Sequence, residues 1–122
     1  MCAYHAWASV GSSAVSFTNL PYIPDAGRGC WNYSVNNSIL DGVTIVESHE
    51  YNEAETDPFV SGTSSWGGWT DSTGNTGESG DKCAGATGYV KNVAFSSGTF
   101  PVQSVWSNYY RYYYKYGCRF FS

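Results

Sequence analysis

The chain has 122 residues, of which 42% are hydrophobic, 18% are aromatic and only 13% are charged. The hydrophobic share is enough for a core and argues against a disordered chain. The net charge of −4 argues against a nucleic-acid-binding protein, because phosphate binding needs clustered Lys and Arg. No apolar run approaches the roughly 20 residues of a membrane-spanning helix. We expect a single domain of a secreted type over residues 1–122, compatible with the C-terminal part of a longer native chain.

Four cysteines indicate the compartment. Cys2, Cys30, Cys83 and Cys118 include no C-x-x-C pair, which argues against a zinc finger or a thioredoxin-like motif. An even count in a small Gly-, Ser- and Tyr-rich chain favours two disulfides and an extracellular location. Three pairings exist, and we favour Cys2–Cys30 with Cys83–Cys118 because each closes a moderate loop within one half of the chain. Four buried free thiols are the alternative.

The first third of the chain predicts short strands and loops. Residues 4–17 alternate weakly between apolar and polar positions and indicate two or three strands. Residues 20–25 are expected to be extended, since two prolines bias the preceding residues away from helix. Residues 26–38 are predicted to be a loop.

An acidic segment over residues 41–57 predicts the main helix. It holds six of the ten acidic residues, has no glycine after Gly42 and is followed by Pro58. Asp41 is the expected N-cap. On a helical wheel, one stripe begins with aliphatic residues of the core and continues with an imidazole and carboxylates: Ile39, Val43, Val46, His49, Glu50, Glu53 and Asp57. The opposite stripe is expected to face solvent: Thr44, Ser48, Tyr51, Asn52 and Glu55.

This stripe predicts a metal site, because several buried carboxylates without a positive partner are costly. His49 and Glu53 stand four residues apart, so both can reach one divalent ion from one helical face. Glu50 follows the first ligand, as the general base does in H-E-x-x-H zinc peptidases. The motif here is H-E-x-x-E, which is less specific. The alternative is an ordinary side-chain pair on a solvated acidic helix.

A catalytic zinc site also needs a third protein ligand. Asp57 is the nearest candidate along the chain, and His5 is the only other histidine. Two later carboxylates, Glu78 and Asp81, could fold back onto the helix.

The second half of the chain predicts an ordered loop, two strands and an aromatic tail. Residues 61–82 are rich in Gly, Ser and Thr, with Trp66 and Trp69 embedded, and we expect these tryptophans to line a substrate groove. A flexible linker is the alternative. Residues 86–106 predict two strands around Gly98-Thr99. In the tail, three tyrosines alternate with other residues and predict an amphipathic strand: Tyr110, Tyr112 and Tyr114. The alternative is a tail that pairs with an acidic partner or self-associates as a sheet edge.

Several segments together resemble one family. Residues 48–58 read S-H-E-Y-N-E-A-E-T-D-P and resemble the S-H-E-x-x-E-x-x-T-D-P signature of the EXORDIUM (phosphate-induced) proteins and of related bacterial secreted proteins similar to zinc metallopeptidases. Residues 78–83 match its later E-x-G-D-x-C element, residues 102–108 match V-Q-x-x-W-S-N, and residues 2–5 match C-x-Y-H. The four matches occur in the family's order.

The resemblance implies an extracellular protein with a zinc-peptidase-like core and disulfide-bonded cysteines. It places His49, Glu53 and either Asp57 or His5 around zinc, with Glu50 as the base. We therefore expect an α+β fold with a small mixed or antiparallel sheet, one central helix carrying the metal site and long Gly/Ser-rich loops. The expected function is hydrolysis of peptide or protein substrates. The alternative is a non-catalytic extracellular or cell-wall module that binds carbohydrate or protein through exposed Tyr and Trp.

Overall fold

The computed structural model describes residues 1–59, 68–71 and 77–121. Within this part the fold is α+β, with small antiparallel sheets, one main helix and two disulfides, which confirms the predicted class. The strands are β1 Tyr4–Val10, β2 Ser13–Asn19, β3 Val90–Phe95, β4 Gly98–Gln103, β5 Val105–Trp106 and β6 Cys118–Arg119. The helices are α1 Arg28–Trp31, α2 Asp41–Thr56 and α3 Asn108–Tyr114. In these ranges no helix is both long enough and apolar enough to cross a bilayer.

Two hairpins flank α2. Strands β1 and β2 pair antiparallel around Gly11, whose φ of 62° suits the tight turn. Strands β3 and β4 pair with Val93 opposite Phe100, and their turn lies at residues 96–97 rather than at Gly98-Thr99 as predicted. The second predicted strand is also interrupted, because Ser104 separates β4 from β5, which pairs with β6 instead.

Helix α2 is the centre of the fold and contacts β1, β2 and β4. Its buried ridge runs along every fourth residue, through Asp41, Ile45 and Glu53. Gly42 is required beside this ridge, since a Cβ there would lie 2.1 Å from the carbonyl oxygen of Cys30. The short helix α1, in the segment predicted to be a loop, thus packs directly against α2.

Three predictions for α2 are wrong in detail. Ile39 lies before the helix and is 40% exposed, so Ile45 takes the expected core position. Asp41 does not cap the helix, because its carboxylate accepts hydrogen bonds from Asn36. The side predicted to face solvent is covered in part by the β3–β4 hairpin, since Thr44 Oγ1 donates to the Pro101 carbonyl (2.6 Å). Tyr51 and Glu55 on the same side are exposed as predicted. Helical periodicity alone does not reveal which side a distant hairpin covers.

The disulfides are Cys2–Cys30 and Cys83–Cys118, as favoured from the sequence. The first ties the start of β1 to α1. The second ties a short 3-10 helix, Asp81–Cys83, to β6. Each is of the kind that contributes about 2–4 kcal/mol to stability. The second disulfide also fixes the segment that carries Glu78 and Asp81.

The tyrosine-rich tail is a helix, so the predicted strand is wrong. Ser107 caps α3 by accepting the backbone N–H of Tyr110. Tyr110 and Tyr114 stack with ring centroids 5.2 Å apart, four residues apart in sequence. Tyr110 and Tyr114 fit the alternation of a strand, but their spacing of four residues also brings them together on one face of a helix.

Candidate metal centre

The buried carboxylate of Glu53 is the centre of the site. Glu53 is 2% exposed, and its Oε1 accepts the backbone N–H groups of Gly80 (3.0 Å) and Asp81 (2.9 Å). Its Oε2 lies 3.2 Å from His49 Nε2 and 3.8 Å from His5 Nδ1. One oxygen is thus anchored to the backbone, and the other faces both histidines.

Two donor groups meet at Glu53. His49, Glu53 and Asp81 form one, with His49 Nε2 3.5 Å from Asp81 Oδ1. His5, Glu50 and Glu53 form the other, with His5 Nδ1 3.3 Å from Glu50 Oε2. Within each group the ligand atoms lie within 4.8 Å of one another. The structure therefore brings together the predicted residues His5, His49, Glu50 and Glu53.

Two buried polar atoms at this site have no hydrogen-bond partner in the described part of the chain. These atoms are His5 Nε2 and Glu78 Oε1, which lie 3.1 Å apart. The His5 side chain is only 4% exposed. The two atoms are thus within ion-pair distance of each other but make no hydrogen bond, and a bound cation is one way to satisfy such buried groups. The donor set therefore fits a divalent metal.

Gln103, which the sequence analysis did not single out as a site residue, orients His49. Its Nε2 donates to the Gly80 carbonyl (2.8 Å), so its Oε1 faces His49 Nδ1 (3.2 Å). Because that oxygen can only accept, Nδ1 must carry a hydrogen. This leaves His49 Nε2 directed at Glu53, as in metal sites where the remote ring nitrogen donates to a neighbouring oxygen. Gln103 lies within the V-Q-x-x-W-S-N segment, the only sequence signal that marked it.

The carboxylates shift the acid–base properties of their neighbours. Burial lowers the pKa of His49, but the hydrogen bond and charge of Glu53 outweigh it and raise the pKa to about 9. Burial raises the pKa of Glu53, but the hydrogen bond and charge of His49 outweigh it, and the result is a lowered pKa. Without metal, His49 therefore holds a proton at neutral pH at the atom that faces Glu53, and a metal ion must displace that proton.

Two further carboxyl groups show that negative charge is in excess. Burial and then the charge of Glu53 raise the pKa of Glu78 to about 7. Burial, followed by the same charge, raises the pKa of Asp81. Both groups resist ionisation because they are buried and, secondly, because like charges are already close.

Asp57 does not join either donor group, and Trp69 lies near the end of α2. Asp57 is 3% exposed, but it belongs to neither donor group, and its carboxylate accepts the backbone N–H of Gly68. The backbone leaves helical geometry at Asp57, so its side chain departs from the stripe. Trp69 is half-buried near the end of α2, where its backbone N–H donates to the Thr56 carbonyl (2.8 Å). Trp66 lies outside the described residues.

A cleft of about 310 Å³ adjoins the cluster. His49 and Glu50 line it together with apolar groups that include Ile45 and the Cys2–Cys30 disulfide. The cleft thus opens directly beside the side chains of both residues. No family model matches the chain, and neither a curated protein nor a solved structure matches it.

Proposed function

We propose that the protein is a secreted zinc-dependent hydrolase of peptide bonds. His49, Glu53 and Asp81 would hold the metal, and Glu50 would act as the general base. The observation that carries the proposal is the convergence of His49 Nε2, Glu53 Oε2 and Asp81 Oδ1. The resemblance to EXORDIUM-like and bacterial zinc-peptidase-like proteins supports it, as do the two disulfides, which suit an extracellular protein.

The donor set suits zinc. One imidazole nitrogen and two carboxylate oxygens are accepted zinc ligands, and three protein ligands leave a position open for reaction. Asp81 takes the place expected for Asp57. It reaches the site because the segment before Cys83 folds back onto α2, where the N–H of Asp81 itself donates to Glu53.

The chain's own residues would then orient groups and move a proton. When bound, zinc supplies a Lewis acid that polarises a carbonyl group and makes water more acidic. Glu50 has a side chain only 12% exposed, and His5 Nδ1 fixes its Oε2 at 3.3 Å. Held in this way, Glu50 can accept a proton from an attacking water at Oε2. The adjoining cleft would hold the substrate side chain next to the bond that is cut.

Metal content and cleavage test this proposal together. We expect about one zinc per chain by elemental mass spectrometry, lost in His49→Ala and kept in Glu55→Gln, which alters an exposed carboxylate of the same helix. Glu50→Gln should keep zinc but lose cleavage of an unfolded protein substrate by roughly 100-fold or more. A chain that binds no zinc would overturn the proposal, and undiminished cleavage by Glu50→Gln would overturn the role of Glu50.

A second candidate function is a non-catalytic extracellular module. The observation that favours it is the exposure of α3, where four tyrosines are 60–71% exposed: Tyr109, Tyr112, Tyr113 and Tyr114. Flat rings with a polar edge suit sugars, cell-wall polymers or a second copy of the chain. Zinc binding without any cleavage, together with polysaccharide binding that Tyr112→Ser abolishes, would favour this function.

A further inference from the structure

A second cavity lies on the other side of α2. It has a volume of about 500 Å³ and opens between the helix, the β3–β4 hairpin and the end of the chain. Aromatic rings form much of its wall, each 37–54% exposed: Tyr51, Phe95, Phe100 and Phe121. An apolar cavity of this size with few polar groups is a typical small-ligand site.

The polar side chains in its wall are already paired within the protein. Thr44 Oγ1 donates to the Pro101 carbonyl, and Ser48 Oγ donates to the Ile45 carbonyl (2.9 Å). Asn52 Nδ2 donates to the Ser48 carbonyl (2.6 Å). The hydroxyl of Tyr51 is hydrogen-bonded to Glu55, which raises the pKa of Tyr51. These groups therefore have little left to offer a polar ligand.

Glu47 is the exception among the lining residues. Its Oε1 accepts the hydroxyl of Thr18 (3.0 Å), whereas its Oε2 is buried and has no hydrogen-bond partner in the described part of the chain. The basic residues of β3 and β6 are engaged elsewhere, since Lys91 lies over the ring of Phe120 and Arg119 over a tyrosine ring. An uncompensated carboxylate beside an apolar wall attracts a cation more strongly than it would in water.

We propose that this cavity binds an organic cation with an apolar body, namely an alkylammonium group. The methylene groups would lie against the aromatic rings, whose faces also attract cations, and the ammonium would be directed at Glu47. A carboxylate ligand would be repelled, and a neutral alcohol would leave Glu47 uncompensated. The site does not depend on the metal centre, which lies on the opposite side of α2.

Three probes of similar size test this site on the unaltered chain. We would titrate n-hexylammonium, n-hexanol and hexanoate and follow the backbone amide signals of Phe100 and Gln103 by NMR. We expect hexylammonium to bind roughly 10-fold more tightly than hexanol, as a charged hydrogen bond allows, and hexanoate not to bind. Equal affinity for hexylammonium and hexanol, or no binding of any probe, would overturn the proposal.

A charge-neutral variant locates the source of the preference. Glu47→Gln should bind hexylammonium and hexanol equally, while Asp25→Asn, which removes an exposed carboxylate outside the cavity lining, should keep the preference. A preference retained in Glu47→Gln would overturn the assignment to Glu47. If Glu47→Gln does not fold, the three-probe comparison on the unaltered chain still decides. A fourth titration, with a lysine-containing peptide, asks whether the natural cation is a peptide side chain or a free amine. Tighter binding of the peptide than of hexylammonium would favour a peptide side chain, and the reverse would favour a free amine. Either result supports the site.

Discussion

The two sides of helix α2 handle polar groups in opposite ways. On the side of β1, carboxylates and histidines converge, and His5 Nε2 and Glu78 Oε1 lie within ion-pair distance of each other but make no hydrogen bond in the described ranges. On the side of β4, hydroxyl and amide groups such as those of Thr44 and Asn52 bond to backbone carbonyls and leave an apolar wall. Neighbouring residues of one helix thus serve a charged site and an apolar cavity.

This difference shows what each side still requires. The cluster around Glu53 has more carboxylates than positive groups, so it requires cationic charge that the described residues do not supply. The cavity offers apolar area and Glu47 Oε2, a buried oxygen without a hydrogen-bond partner in the described residues. Substitutions at the cluster should therefore change metal binding without changing amine binding, and the following predictions depend on that separation.

The largest effect is expected for Glu53→Gln. The substitution removes the charge that His49 and the backbone of Gly80 and Asp81 all face. At pH 7 the metal-free variant should lose about 3–5 kcal/mol of unfolding free energy, the range for breaking a buried ion pair. Zinc affinity should fall by more than about 100-fold, which exceeds the loss typical of residues that hydrogen-bond to a metal ligand without binding the metal. Chemical denaturation in EDTA and zinc titration measure the two effects.

Glu55→Gln is the matched control for this variant, since Glu55 is exposed on the same helix. It should match the unaltered chain in stability and zinc affinity. If Glu53→Gln behaved in the same way, Glu53 would not be the centre of the site.

A smaller effect is expected for Gly80→Ala. A Cβ at Gly80 would lie 2.9 Å from both Glu53 Oε1 and His49 Nδ1, closer than carbon atoms normally approach. Relief of this overlap would displace both ligands, and the cost should be about 1–3 kcal/mol of stability. A displaced site should also cut roughly 100-fold more slowly. Thermal unfolding and cleavage rates measure these losses.

Gly77→Ala is the control for Gly80→Ala, because a Cβ at Gly77 would meet no atom within 4 Å. It should leave both quantities unchanged. Equal losses in the two variants would show that loss of glycine flexibility, rather than the ligand contact, is responsible.

Local patterns were sufficient to predict the covalent and helical frame. The cysteine spacing predicted both disulfides, and the acidic run before Pro58 predicted α2, which ends at Thr56. The spacing of His49 and Glu53 predicted their contact, since it depends only on helix geometry. The helix and the contact of His49 with Glu53 depend on residues that are near one another in the chain. The disulfides required a choice among only three pairings of the four cysteines.

The remaining features depend on tertiary packing. Asp81 was one of several candidate ligands, and its approach to His49 and Glu53, which Asp57 does not share, depends on the return of residues 78–81 to α2. The tail was predicted to be a strand because its tyrosines alternate, yet Tyr109 and Tyr113 pair along a helix with ring centroids 4.6 Å apart. A repeat of one residue type fits both periods, so only the cap at Ser107 distinguishes them.

The smallest effect is expected for Gln103→Leu, which tests the boundary between the two sides. Gln103 lines the amine cavity, yet its amide bonds to His49 Nδ1 and to the Gly80 carbonyl. Loss of its oxygen frees His49 to rotate or change tautomer, so zinc affinity should fall about 10-fold. Gln103→Glu keeps an acceptor for Nδ1–H and should retain most of the affinity, whereas Thr44→Val on the cavity side should not change it. Because leucine preserves apolar volume, hexylammonium should bind Gln103→Leu as it binds the unaltered chain. A parallel loss of zinc and amine affinity would show that the two sides of α2 are one coupled site.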